Sequence, residues 1–278
     1  MDLHLLYSTI IGIVQGTSEW LPISSKTQVL FVSTMLLGFP LAVAYAFGLF
    51  MEIGSTGSAL IYFRRDVISV FRDWKLFRFL LVVTVITAII AVPLYVLADK
   101  VLATFPYPVG IPMLILGAAL IADSLLIWRS RLITTFKVNQ VNDLRMRDIV
   151  IIGLAQGLAA LPGVSRSGMT VSAMLVLGVK PETAFRLSYL AYIPASLGAF
   201  GVSLLFTKEQ VGIATAQLDM VGLAIAIVAA FITGLIIIGL LLRFAKKNSI
   251  YIVTLTFGIL AIAFGILVSF YGINPGVG

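Results

Sequence analysis

No Asp, Glu, Lys or Arg occurs between Arg78 and Asp99, between Arg186 and Lys208, between Asp219 and Arg243, or beyond Lys247. At roughly 20 residues per crossing of about 30 Å of hydrocarbon, each of these runs is long enough to span a bilayer as a helix. Lipid offers no partner to a backbone N–H or C=O, so a chain of this kind can only be helices or a closed barrel, and uninterrupted runs of this length select helices. Composition agrees: 60% of the residues are hydrophobic, 11% are charged, and the mean hydropathy is +1.10, values outside the soluble range. The class that follows is an all-α integral membrane protein.

Six spanning helices fit the pattern, at 43–63, 79–98, 109–128, 184–206, 219–243 and 249–271. Segments 3–37 and 148–178 are also apolar, but each is broken in its middle by a proline- and serine-rich elbow, LPISSK and LPGVSRS. The arms on either side are too short to cross, which predicts two re-entrant helical hairpins that enter and leave on one side. Residues 1–16 show neither a basic leader nor a small-residue cleavage site, so the mature protein is expected to start there. Cysteine is absent, which excludes disulfides, thiolate catalysis and cysteine-ligated metal, and the single His4 reads as an interfacial residue.

The two broken segments resemble each other. GIVQGTSEWLPISSK at 12–26 aligns with GLAQGLAALPGVSRS at 153–167 with one gap, and AFGL at 46–49 corresponds to AFRL at 184–187. A single membrane domain of two repeats is expected, the first over about 1–128 and the second over about 148–271. One hairpin plus three crossings per repeat makes the second copy inverted relative to the first. Loop charge gives the orientation. The Lys and Arg of 64–78, 129–147 and 243–247 fall on one face, against Lys100 and Lys208 on the other, so both termini are expected outside a cell membrane. The net charge of +7 therefore reads as topology rather than as a nucleic-acid site.

Charges at membrane depth are expensive and are functional candidates by default. Here they are Glu19 and Lys26 beside the first elbow, Glu52 within the first span, Arg166 in the second elbow and, with weaker claims, Asp123 and Arg186. Each elbow opens a short helix, and a helix start offers free N–H groups and a positive dipole end to an anion. Arg166 and Lys26 add cations, while Ser24, Ser25, Thr27, Ser165, Ser167 and Thr170 add hydroxyls. Together these describe a cradle for phosphate or diphosphate. A hard ion such as Mg²⁺ or Ca²⁺ would explain carboxylates in such a place.

QGTSEWLPISS at 15–25 and PGVSRSGMT at 162–170 resemble the two signatures of the undecaprenyl-diphosphatase (bacitracin-resistance) family, and the resemblance extends over essentially the whole chain. It implies inverted repeats with re-entrant hairpins and an integral membrane enzyme that removes the terminal phosphate of a long polyprenyl diphosphate to recycle the lipid carrier. Carried over, Glu19 would be the essential acid, as metal ligand or base. Arg166 would clamp the diphosphate, and Ser25 would be the nucleophile or a ligand of the reacting phosphate. Ser165, Ser167 and Thr170 would donate to phosphate, and Gln15 fills the first signature position. The partners implied are the polyprenyl diphosphate and the membrane; a homodimer is compatible with the sequence.

Two departures stand out. The family usually has Thr-Gly-His after the paired serines, where this chain has Lys26, Thr27 and Gln28; Glu52 stands where Gln is expected. Glu52 is either a replacement base or the counter-charge of Lys26, and the simultaneous appearance of two opposite charges favours the ion pair. The rival reading is transport of a lipid phosphate or other anion, since interrupted helices at midplane also build transporters. Asp123, near Trp128, and Glu182, after Pro181, read as structural. Arg186 either faces the cleft or snorkels to the interface.

Overall fold

Pro22 has no N–H to donate and disfavours helix at Leu21, so α1 (Leu3–Ser18) ends before it and α2 (Ser25–Leu37) starts after it. The structure, a computed structural model, describes residues 3–104, 110–133, 136–245 and 250–271. The predicted first span is two helices, α3 (Leu41–Phe50) and α4 (Glu52–Tyr62), separated at Met51. At the start of α4 the carbonyl of Glu52 accepts from the hydroxyls of Thr56 at 2.8 Å and Tyr192 at 3.0 Å, which ties this helix to α10. Next, α5 (Arg64–Val70) turns away by 82° and has no buried residue. After it come α6 (Trp74–Thr104) and α7 (Gly110–Ile133).

The second half comprises α8 (Met146–Leu158), α9 (Arg166–Val176), α10 (Pro181–Phe206), α11 (Lys208–Ala245) and α12 (Ile250–Tyr271). Between α8 and α9 the elbow turns through Gly163 at φ 88°, a left-handed conformation that glycine adopts without strain. The span predicted at 219–243 begins eleven residues earlier, at Lys208, and is interrupted at Asp219 (φ 58°, ψ 176°). Positions 109 and 249 and the side chain of Asp123 lie outside the described residues. Among the described residues the only extended pairing is a bridge between Val138 and Val179.

By length and apolarity α6, α10 and α11 can each cross a membrane, and the bent unit of α3–α4 with α5 makes a fourth. Each hairpin packs its first arm on a long helix of the other half, α1 on α11 and α8 on α6. The same motif produces both contacts. A side chain at Gly12 or Gly16 would overlap the backbone of α11 at Ala226 and Ala230, and one at Gly153 or Gly157 would strike Ile86 or Ile90 of α6. These two Gly-x-x-x-Gly faces let helices approach closely where lipid supplies no hydrophobic driving force. α7 and α12 pair at the periphery, again through glycines, at Gly117 and Gly258.

Candidate active site

The elbows meet. The Ser167 hydroxyl donates to the Leu21 carbonyl at 2.9 Å, and the Gly163 N–H donates to Thr27 Oγ1 at 3.0 Å. Each bond runs from one half of the chain to the other, so the two helix starts, at Ser25 and Arg166, face a common chamber. Its lining includes Glu19, Ser24, Ser25, Lys26, Ser165, Arg166 and Ser167. Ser24 sits at φ 50° with its side chain free of capping duty, its hydroxyl lying 3.0 Å from Thr27 Oγ1. Ser165 caps the Gly168 N–H at 3.2 Å.

Glu19 is the hub. Its Oε1 accepts from the Arg166 guanidinium at 2.7 Å; its Oε2 accepts from Ser25 Oγ at 2.5 Å and from the Gln15 amide at 2.9 Å. Arg166 also donates to the Ser188 carbonyl at 3.4 Å, and its guanidinium carbon lies 4.1 Å from the centre of the Tyr192 ring. The second pair joins Lys26 Nζ to Glu52 Oε1 at 3.6 Å. All four charged side chains are buried, and their formal charges cancel. A buried charge left alone is costly, so the cancellation is what makes this concentration of charge tolerable.

The aromatic backing was not visible in the sequence. Trp20 lies edge-on to Tyr189 and Tyr192, each at 5.1 Å, and Tyr189 donates to the Trp20 carbonyl at 2.8 Å. These rings fix the elbow that carries Glu19, and nothing in the spacing of α10 distinguishes its tyrosines from ordinary core residues. Gln156, the second-repeat counterpart of Gln15, lies beside Lys26 and Arg166 on a neighbouring cavity.

Not every candidate faces the chamber. Thr170 is spent on α9 and α10, donating to the Arg166 carbonyl at 2.8 Å and lying 2.5 Å from the Ser188 hydroxyl. Gln28 donates to the Ile23 carbonyl at 3.3 Å and lines neither the chamber nor the neighbouring cavity. Gln15 stands behind Glu19, reaching Ser55 at 3.3 Å. Arg186 is exposed and paired with Asp66, away from the elbows.

The family model described as "Bacitracin resistance protein BacA" matches residues 8–267. The chain belongs to this family. Three curated relatives carry the name undecaprenyl-diphosphatase. The protein of Sulfurisphaera tokodaii is 56% identical over 95% of this chain and 98% of its own. That of Saccharolobus islandicus is 51% identical over the same shares, and that of Pyrobaculum aerophilum is 40% identical over 96% of this chain and 98% of its own. Membership in the BacA family places Glu19, Ser25 and Arg166 in a chain whose relatives are named for a hydrolysis.

Proposed function

We propose that this chain is a membrane phosphatase that removes the terminal phosphate of an undecaprenyl-type polyprenyl diphosphate and so returns the lipid carrier to use. One observation carries the reading: Ser25 Oγ, Glu19 and Arg166 stand in a single hydrogen-bonded line across two helix starts. Arg166 gives the terminal phosphate a planar, two-pronged donor. The N–H groups at the starts of α2 and α9, with Ser24, Ser165 and Ser167, supply the remaining donors for charge that builds on the equatorial oxygens. Ser25 Oγ is bonded to a carboxylate that can take its proton as the oxygen attacks phosphorus in line. The bond to the bridging oxygen then breaks, the proton on Glu19 passes to the leaving oxygen, and the lipid leaves as its monophosphate. Water, its proton passed to the freed Glu19 carboxylate and on to the departing Ser25 oxygen, releases phosphate from the serine; attack by an activated water in place of Ser25 uses the same groups.

A divalent ion fits this set. Gln15 Oε1 is a buried acceptor without a partner, on the residue that bonds Glu19. Among the described residues no group of three or more His, Cys, Asp and Glu gathers for a metal, so Glu19, which lines the chamber, would hold Mg²⁺ or Ca²⁺ jointly with substrate phosphates and water, with Gln15 behind it. When bound, the ion would supply counter-charge to a diphosphate that otherwise meets an electrically balanced site.

The arrangement proposed around this chemistry is six crossings plus two re-entrant hairpins in inverted repeats, with both termini outside a cell membrane. The mutual packing of α1 on α11 and α8 on α6 supports it. Transport without hydrolysis is less well supported, because it gives the Ser25–Glu19 bond no task. Phosphate release from undecaprenyl diphosphate by purified protein with Mg²⁺ or Ca²⁺, compared with Glu19→Gln, tests the reading. Wild-type protein that binds the lipid and releases no phosphate overturns it.

A further inference from the structure

Lys26 and Arg166 stand where the chamber meets the neighbouring cavity, and both line the two spaces. The reacting groups Glu19 and Ser25 line the chamber, while Glu52, the partner of Lys26, lines the cavity. A headgroup with two phosphates therefore meets one cation for each. The phosphate under attack lies with Arg166, Glu19 and Ser25, and the other falls on the Lys26 side.

The two ion pairs are built differently. Arg166 reaches Glu19 at 2.7 Å, whereas 3.6 Å separates Lys26 Nζ from Glu52 Oε1, beyond the about 2.7–2.9 Å of a charge-assisted bond. Position favours the acid of the looser pair and opposes its base. Glu52 stands in the first turn of α4, where a helix start attracts an anion; Lys26 stands in the first turn of α2, where the same effect repels a cation. Helix stability thus gives no reason for a lysine at 26. Its backbone is fixed, because a Cβ on Gly48 would lie only 3.1 Å from the Lys26 carbonyl oxygen and α3 rests directly against it. The flexible four-carbon side chain is the part that can move.

Gln156 adds an independent observation from the second hairpin. It is 2% exposed and lines the same cavity as Lys26; its Nε2 donates to Thr87 Oγ1 at 3.1 Å, and its Oε1 finds no partner among the described residues. Turning the amide over keeps Thr87 as a partner and presents an N–H where the lone oxygen stood. A buried polar group left unpaired points to a ligand, and an anion beside Lys26 satisfies Gln156 in that orientation. Resting on the hydrolase reading above, we propose that Lys26 leaves Glu52 to hold the second phosphate of the substrate, the one that carries the lipid, and so makes this a site for diphosphates rather than for single phosphates. Glu52 keeps its place at the start of α4 during the exchange and takes the ammonium back when the headgroup departs. The two residues, which depart together from the family's pattern, work as one exchangeable pair.

The test measures binding of methylenediphosphonate and of inorganic phosphate to the purified full-length protein. The double variant Lys26→Met with Glu52→Gln removes both charges and strands neither, so its thermal unfolding should stay near the wild-type midpoint. It should bind methylenediphosphonate about tenfold more weakly, the loss of one hydrogen bond to a charged group, and inorganic phosphate within about twofold of wild type. Glu52→Gln alone keeps the ammonium and removes its competitor, so methylenediphosphonate should bind at least about threefold more tightly; a merely structural pair would lower stability here without that gain. Unchanged methylenediphosphonate affinity in the double variant overturns the proposal. So does an equal loss of both ligands, a Glu52→Gln variant that binds no more tightly, or a wild type that does not prefer methylenediphosphonate to phosphate. A wild type that binds undecaprenyl diphosphate without releasing phosphate defeats the hydrolase reading and leaves these comparisons fully readable.

Discussion

Replacing Arg166 with Ala removes the cation that reaches from the second hairpin to the first. Glu19 would keep the Gln15 amide and the Ser25 hydroxyl, both on Oε2, while Oε1 loses the Arg166 donor. With Glu19 only 5% exposed, water cannot make good the loss. Breaking one side of a buried pair costs about 3–5 kcal/mol, a figure that includes the lost guanidinium–Tyr192 contact, about 0.5–2 kcal/mol on its own. Adding Glu19→Gln to the same chain discharges the stranded group and should restore about 2 kcal/mol, a coupling well above the few tenths found between independent sites. The double variant should therefore be more stable than Arg166→Ala alone, although neither is active. Reversible unfolding in mixed micelles, followed through the fluorescence of buried Trp20 between its two tyrosines, measures all four corners of the cycle. Arg166→Ala within about 0.5 kcal/mol of wild type, or losses that simply add, would refute the pairing.

Three further outcomes are expected. Ser25→Ala should lower phosphate release by about 10³-fold or more while lipid affinity holds, as removal of an attacking oxygen does; a loss of only about tenfold would demote Ser25 to a phosphate ligand. Gly16→Leu should destabilise the fold by about 2–3 kcal/mol in the same unfolding assay, because a Cβ there overlaps the Ala230 carbonyl and the Thr233 hydroxyl. Gln28→His should change phosphate release by less than about threefold, because the side chain at 28 is turned to the Ile23 carbonyl; a gain of about 10²-fold would show that an imidazole at 28 reaches the reacting groups.

The two breaks were legible because a Leu-Pro pair interrupts each apolar segment, and the structure ends one helix and begins another around each pair. The Lys26–Glu52 pair was legible for a different reason. Two opposite charges in one hydrophobic setting have few stable arrangements other than contact. The break at Met51 was not legible, since methionine is a good helix former and no proline stands beside it. Nor was the interruption at Asp219, which no proline or glycine marks. Arg186 could be settled only once Asp66 was known to lie beside it. The cavity beside Lys26 and Arg166 was hidden most completely. Ala88, Ala91 and Gly198 are unremarkable along their own helices and line a common space only when α6 and α10 are set side by side.

The bonds from Ser167 to Leu21 and from Gly163 to Thr27 also bear on how the molecule comes into being. Synthesis delivers Glu19 long before Arg166 exists, so during insertion the first hairpin holds an acid whose cation has yet to be made. The seam between the two elbows can close only once both have been made, and Glu19, Ser25 and Arg166 come together only then.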